Sequence, residues 1–280
     1  MNDPKLPPLR EVIARFGLAA RRKLGQHFLL DGNLTDRIAR AAGDLKASTI
    51  FEIGPGPGGL TRSLLRAGAG HVVAIERDER CINALQELVA AFPGRLQIVE
   101  GDALRTDLAT LGPAPRRIVA NLPYNISTVL LLGWLERIDD FASLTLMFQK
   151  EVAERLVAKP RTKDYGRLSV IAQFHCTVRP LFDISASAFV PPPKVTSTVV
   201  ELLPRADRPR DIDAKTLSAV TASAFGQRRK MLRAALRTLT PHAEALLERA
   251  GIVPTARAEE LSVDQFCVLT RVWKEFSPPA

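Results

Sequence analysis

The chain has 280 residues, 46% hydrophobic and 25% charged, a composition that supports a sizeable core and excludes a disordered chain. The longest apolar stretch worth weighing, Val129 to Leu135, falls far short of the ~20 residues that span a bilayer. Lys and Arg exceed Asp and Glu by 39 to 30, a net charge of +9 that points weakly toward a polyanionic partner.

The N-terminus sharpens that hint. Residues 1–30 hold Lys5, Arg10, Arg15, Arg21, Arg22 and Lys23 against Asp3 and Glu11. Pro4, Pro7 and Pro8 stand where the apolar region of a signal peptide would lie, so a cytoplasmic chain is expected. Leu34, Ile38 and Ala41 then recur at helical spacing, with Gly43 as the stop. From residue 48 to about 150, β-branched runs alternate with helical stretches. Thr49–Ile53 reads as a buried strand, followed by a helix carrying Leu60, Leu64 and Leu65 and capped at Gly68. His71–Glu76 is the next strand, and its helix (Ile82, Leu85, Val89) ends at Pro93-Gly94. Leu96–Val99, Ile118–Ala120 and Leu144–Phe148 continue the series. Such alternation predicts a parallel sheet covered by helices on both faces.

Lys150–Ala158 reads as a helix closed by Lys159-Pro160, and Thr177–Ile184 and Val195–Leu203 as the last strands, joined across Pro191-Pro192-Pro193. After Pro204 the pattern is helical throughout, so a domain boundary is expected there, dividing the chain into residues 1–204 and 205–280. The second part carries another basic cluster, Arg228, Arg229 and Lys230 with Arg233 and Arg237. Cys81, Cys176 and Cys267 form no CxxC pair and the four histidines are scattered, so neither a disulfide framework nor a metal site is expected.

Two segments carry chemistry. Glu52-Ile53-Gly54-Pro55-Gly56-Pro57-Gly58-Gly59 joins a strand to a helix, and its glycines let backbone approach a ligand that a Cβ would exclude. Gly54, Gly56 and Gly59 also satisfy GxGxxG, with Glu76 following Gly54 by 22 residues, which keeps a dinucleotide enzyme in view. A helix N-terminus that holds a pyrophosphate welcomes an anion. Glu52 beside the loop suits a cationic or amino-bearing ligand instead. With Glu76 and Asp102 at the ends of the next two strands, the set matches a ribose, an adenine amino group and a positive end. S-adenosylmethionine has all three. Each acid alone has a plain structural explanation: Asp102 could cap a helix and Glu76 could be solvated.

Asn121-Leu122-Pro123-Tyr124 follows the fourth strand, at the sheet edge where α/β folds hold their ligands. It could be a turn. Downstream of the glycine loop, however, it suits methyl transfer to an exocyclic adenine nitrogen. That lone pair is delocalised into the ring, and hydrogen bonds from its two hydrogens to the Asn121 oxygen and a carbonyl near Leu122 would localise it. A sulfonium is a strong leaving group, so positioning and electrostatics suffice. Tyr124 would stack on a base drawn out of its helix.

The residues quoted so far, together with several others, resemble one family over nearly the whole chain. They are Lys23-Leu24-Gly25-Gln26-His27-Phe28-Leu29, the loop at Glu52 to Thr61, Glu76, Gly101-Asp102-Ala103-Leu104, and the tetrapeptide at 121–124. Gln149 to Leu156, Tyr165 to Ser169, Phe189 to Val195 and Phe225 to Leu232 complete the set. In this order they resemble the small-subunit ribosomal RNA adenine N6-dimethyltransferases, the KsgA family. The resemblance implies a Rossmann-like class I methyltransferase fold, an α/β sheet that is mostly parallel with its last strand antiparallel, and a small all-helical C-terminal domain. It implies that His27, Leu29, Gly54, Glu76, Asp102 and Asn121 line the S-adenosylmethionine site, with Glu52, Gly56 and Ala103 beside them. The family commonly carries asparagine at the His27 position, so either the side chain or the backbone there reaches the cofactor. Phe189 matches a position where a second aromatic faces the target base, or it is a core residue before the proline turn. Leu122 and Pro123 complete the catalytic set with Asn121 and Tyr124.

The family also implies 16S rRNA in the immature small ribosomal subunit as partner, two adjacent dimethyladenosines near its 3′ end as product, and a monomer. Arg22, Lys23, Arg228, Arg229, Lys230 and Arg233 would then meet RNA phosphate. Two rivals stay open: an erythromycin-resistance-type methyltransferase of large-subunit RNA, and a non-catalytic assembly factor.

Overall fold

A computed structural model describes residues 6–20 and 25–276. The chain divides into two compact units: residues 1–133, 137–153 and 179–204 form one, and residues 134–136, 154–178 and 205–280 the other.

The first unit is built on a seven-stranded sheet. Its early strands are β2 (Thr49–Ile53), β3 (His71–Glu76), β4 (Leu96–Glu100), β5 (Arg116–Asn121) and β6 (Ser143–Gln149), followed by β7 (Cys176–Ile184) and β9 (Ser197–Pro204). Their order across the sheet is β4-β3-β2-β5-β6-β9-β7. The strands from β4 to β6 pair in parallel, and β9 runs antiparallel to β6. Every residue of β2 is buried, which is why Thr-Ile-Phe-Glu-Ile reads as a continuous rather than an alternating run. Phe51, Ile50 and Ile53 are each at most 2% exposed. Each such side chain contributes about 1.5–3 kcal/mol of burial.

Helices α2 (Gly32–Ala41), α3 (Gly59–Arg66) and α4 (Glu79–Ala91) supply the facing apolar stripes, with Ile38, Leu64, Leu65, Leu85 and Leu88 in one core. Aspartates start two of them: Asp31 accepts from the Asn33 amide at 2.8 Å to cap α2, and the Asp78 side chain caps α4. Starting at β2, the chain runs outward to β4 and then returns to place β5 on the other side of β2. The carboxyl ends of β2 and β5 therefore flank the switch point where such sheets open a crevice.

One feature has no counterpart among the expected strands. Phe28–Leu29 (β1) pairs antiparallel with Phe189–Val190 (β8), joining Phe28 to Val190 and Leu29 to Phe189. This miniature ladder ties the segment before α2 to the proline-rich connection ahead of β9.

In the second unit, α7 (Arg167–His175), α8 (Ala214–Gly226), α9 (Leu232–Ala235), α10 (Ala243–Arg249) and α11 (Val263–Phe276) bury apolar side chains such as Phe174, Val220, Leu232, Leu246 and Phe266. Residues 154–178 belong to it, so the division is not the single cut expected after Pro204. Tyr165 is the physical reason. It is fully buried, its hydroxyl donates to the Leu261 carbonyl at 2.8 Å, and its ring meets Phe225 edge-on at 6.1 Å. Phe225 in turn lies 5.5 Å from Phe266. Among the described residues no helix is long and apolar enough to cross a membrane.

Candidate active site

The glycine loop leaves β2 in a conformation few side chains tolerate. Gly54 has φ +65° and Gly56 φ +56°, and a Cβ on Gly56 would sit 3.0 Å from the Phe28 ring. Backbone is thereby brought close to a cavity floor. Glu76, at the end of β3, holds the loop in place. One of its carboxylate oxygens accepts from the Gly56 amide at 3.1 Å, and the other from the amides of Arg77 and Asp78 at 2.8 and 2.9 Å. Burial still raises its pKa above the ordinary carboxylate value, and those three amides pull against that rise.

Glu52 is the contrast. It is 2% exposed, and its Oε2 has no hydrogen-bond partner. Burial, reinforced by the nearby charge of Glu76, pushes its pKa up to about 8. A carboxyl group with an unused oxygen in the wall of a cavity is a ready acceptor for a cationic or amino-bearing ligand. Asp102 stands beyond β4, where its Oδ1 accepts from the Leu104 amide at 3.0 Å and closes a turn. It closes a turn there rather than capping a helix, in the same wall of the cavity as Glu76.

The other end of the cavity is made by the tetrapeptide. Asn121 is the last residue of β5, and its Nδ2 donates to the His27 carbonyl at 3.2 Å. That bond assigns the amide: with the nitrogen engaged, Oδ1 is the atom left for a ligand. Leu122 is buried beneath, and the Pro123 carbonyl accepts from the Ile126 amide at 3.1 Å to start the turn into α5 (Ser127–Glu136). The Tyr124 hydroxyl shares a 2.5 Å hydrogen bond with Ser197 Oγ, and burial raises its pKa. The imidazole of His27 stacks on the Tyr124 ring with centroids 5.5 Å apart and planes 29° apart. Its Nδ1–H donates to the Pro191 carbonyl at 2.7 Å.

A family model for ribosomal RNA adenine dimethylases matches residues 17–275. The chain belongs to that family. It is 65% identical over 266 residues to ribosomal RNA small subunit methyltransferase A of Paramagnetospirillum magneticum, a match covering 95% of this chain and 94% of the relative. The protein of the same description from Rhodospirillum rubrum is 61% identical, covering 95% and 92%. Among solved structures, a dimethyladenosine transferase from Plasmodium falciparum aligns with a TM-score of 0.72 at 27% identity, over 87% of this chain and 96% of that one. The 23S rRNA methyltransferase ErmE aligns with a TM-score of 0.65 at 26% identity, over 88% and 99%.

For a ribosomal RNA adenine dimethylase, the expected residues gather well. His27, Leu29, Glu52, Gly54, Gly56, Glu76, Asp102, Ala103 and Asn121 line one cavity, together with Leu122, Pro123 and Tyr124. Phe189 does not join them. It is 1% exposed and packs in the core with Ile38, Ile184 and Val199. Its pairing with Leu29 across the β1–β8 ladder fixes it there. Sequence reasoning passed over Ser197, which anchors Tyr124, and Pro191, whose carbonyl anchors His27. A serine in a strand and a proline in a turn carry no signal of such a role.

The basic residues separate into kinds. Arg22 and Lys23 lie outside the described residues. Arg228 is committed within its own unit: Nε contacts Glu259 at 3.0 Å and Nη2 donates to the Lys163 carbonyl. Arg233 pairs with Glu244 at 3.4 Å. Arg229 and Lys230 are exposed, with no ion pair among the described residues.

Proposed function

We propose that this chain transfers methyl groups from S-adenosylmethionine to N6 of two adjacent adenosines near the 3′ end of 16S rRNA, acting on the immature small ribosomal subunit as a cytoplasmic monomer. The family match and the descriptions of its near relatives support the reaction and the substrate. Three buried cysteines, none of them in a disulfide, suit a reducing compartment.

One observation carries the chemistry: the Asn121 amide is held by its nitrogen, which leaves Oδ1 as the acceptor for a ligand in the cavity that Asn121 lines. Oδ1 accepts one N6 hydrogen and a backbone carbonyl at Leu122 the other, which draws the nitrogen lone pair out of conjugation with the ring. Tyr124, fixed through its hydroxyl to Ser197, offers a ring face on which an extruded adenine stacks. At the opposite end, the unused oxygen of Glu52 and the glycine cradle fit the cofactor's amino-bearing end, and Glu76 and Asp102 its ribose and adenine. When bound there, S-adenosylmethionine supplies a methyl group carried on sulfonium, a strong leaving group. The protein's contribution is alignment and preorganised polarity.

The experiment is transfer of labelled methyl to purified small subunits that lack these modifications, mapped by nucleoside mass spectrometry. Dimethyladenosine at adjacent sites near the 16S 3′ end is the expected product. Transfer to large-subunit RNA instead would refute the substrate, and cofactor binding without transfer to either would refute the activity.

A further inference from the structure

The family model begins at residue 17, so the helix α1 (Leu9–Arg15) lies ahead of the residues it matches. The segment is nonetheless built into the first unit. Val12 and Leu18 are each 1% exposed and pack with Phe28, Cys81 and Ala84. The Phe28 ring in turn lies against Gly56 of the glycine loop. Two arginines fasten the backbone of this strap. Near its start, Arg62 of α3 donates through Nη1 to the Pro7 carbonyl at 2.6 Å. Near its end, Arg80 of α4 donates through Nη1 to the Gly17 carbonyl at 2.9 Å.

The second fastening reaches the cavity. Arg80 grips the buried Asp78 carboxylate at two points, Nε to Oδ1 at 3.0 Å and Nη2 to Oδ2 at 2.7 Å. Asp78 Oδ2 also accepts from Gln26 Nε2 at 3.2 Å. The Asp78 amide donates to Glu76 Oε1 at 2.9 Å, and Glu76 Oε2 takes the Gly56 amide. Gln26, Gly56 and Glu76 line the cavity, whereas Asp78 and Arg80 do not. A continuous polar chain therefore runs from the strap backbone to the cavity wall. Capping α4 occupies one Asp78 oxygen and needs no guanidinium. A two-point grip that also holds a carbonyl 63 residues away in sequence ties distant segments together.

We propose that Arg80 is a positioning residue for the cofactor: through Asp78 it locks the N-terminal strap to Gln26 and to the contact between Glu76 and the glycine loop, setting the geometry in which S-adenosylmethionine is held. This rests on the reading that Glu76 and the glycine loop hold the cofactor. Asp78 is buried, so its charge must be met by donors. The Arg80 guanidinium is the chief of them and holds the carboxyl below its ordinary pKa, against the rise that burial alone would give. Without it the carboxylate draws on neighbouring amides and water instead. Gln26 and the Asp78 amide then shift, and the glycine loop shifts with them. Asn121 and Tyr124 are not links in this chain of contacts, so the loss falls on cofactor binding rather than on transfer.

The test compares full-length wild type with Arg80→Ala, Arg80→Lys, Asp78→Asn and the double variant Asp78→Asn with Arg80→Ala. The measurements are S-adenosylhomocysteine affinity by calorimetry, kcat and KM for both substrates, and melting temperature. Arg80→Ala should bind S-adenosylhomocysteine about tenfold more weakly and raise the cofactor KM to match, the scale of coupling between groups in contact. Its kcat and its KM for small subunits should stay within about twofold of wild type. Arg80→Lys keeps the charge but not the fork, so its affinity should fall between the two. Asp78→Asn should reproduce the loss, and adding Arg80→Ala should cost little more, because both act through one contact. If Arg80→Ala does not fold, Arg80→Lys and Asp78→Asn carry the same comparison. Wild-type S-adenosylhomocysteine affinity in these variants, whatever their melting temperatures, would overturn the assignment. So would a loss confined to kcat, or losses that add in the double variant. Glu76→Gln in the same assay separates the two levels: unchanged affinity there sinks the underlying reading of the cavity. A loss there with unaffected Arg80 variants sinks only the role of Arg80.

Discussion

The two ends of the cavity are built by different means. The glycine-loop end comes from the carboxyl termini of neighbouring strands, where Glu52, Glu76 and Asp102 arrive by the regular progression of strand and helix. The tetrapeptide end is assembled from distant pieces: His27 and Pro191 are 164 residues apart, and Tyr124 and Ser197 are 73 apart. The first end is a property of the fold, and the second of long-range contacts laid over it. Within the first end the two glutamates differ again. Glu76 spends its oxygens on three backbone amides, and Glu52 keeps one unused. One acid supports the loop while the other awaits a partner.

Substitutions can break this contrast. The largest effect should come from Asn121→Ala, which removes the acceptor for N6. Transfer should fall by about a hundredfold or more, the scale for losing one preorganised polar contact, with cofactor affinity little changed. Single-turnover transfer measures it, and wild-type turnover would mean that Asn121 does not orient the nitrogen.

Next in size is Glu52→Gln. Burial raises the Glu52 pKa from 4.5 to about 8, so at neutral pH the folded chain keeps a proton that the unfolded chain has released. The stability this carboxyl contributes is complete below pH 4.5 and is lost progressively as pH rises to about 8. Glutamine cannot ionise. The variant should therefore gain on wild type across that window, by about 3 kcal/mol at pH 7. Denaturant unfolding at several pH values reads this, and parallel stability curves would show that Glu52 is not buried without a partner.

Tyr124→Phe is smaller. It keeps the stacking face and gives up only the hydrogen bond to Ser197, worth about 1 kcal/mol, so turnover should fall by about fivefold. Smallest is the effect of exposed charge. Arg229→Glu with Lys230→Glu should flatten the salt dependence of subunit binding by about one unit of slope per lost phosphate contact. Arg228→Glu should instead disturb the helical unit through the loss of Glu259 and Lys163, and show in its melting temperature.

Much of the first end was legible in the sequence because its signals are local. A five-residue apolar strand, glycines at the turn and an acid at each strand end need no knowledge of distant pairing. The tetrapeptide was legible for the same reason, since it sits at the end of a strand. What lay beyond reach was the partner of each of its side chains. Phe189 is buried and His27 lies on Tyr124 because a two-residue ladder, too short to leave a periodic pattern, turns one inward and sets the other beside that ring. The cut after Pro204 is a unit boundary, but the sequence did not show that an earlier segment joins the second unit. Residues 154–178 read as a continuation of the sheet domain until Tyr165 is seen buried against Leu261 and Phe225.

The division of the cavity into a cofactor end and a base end is tested most directly by one calorimetric comparison, the S-adenosylmethionine affinity of Glu76→Gln beside that of Tyr124→Ala. Glu76→Gln should bind the cofactor at least about tenfold more weakly, the scale of a charge-assisted hydrogen bond lost. Tyr124→Ala should bind it as wild type does. A loss in Tyr124→Ala as large as that in Glu76→Gln would contradict the account, because the two ends would then serve a single ligand.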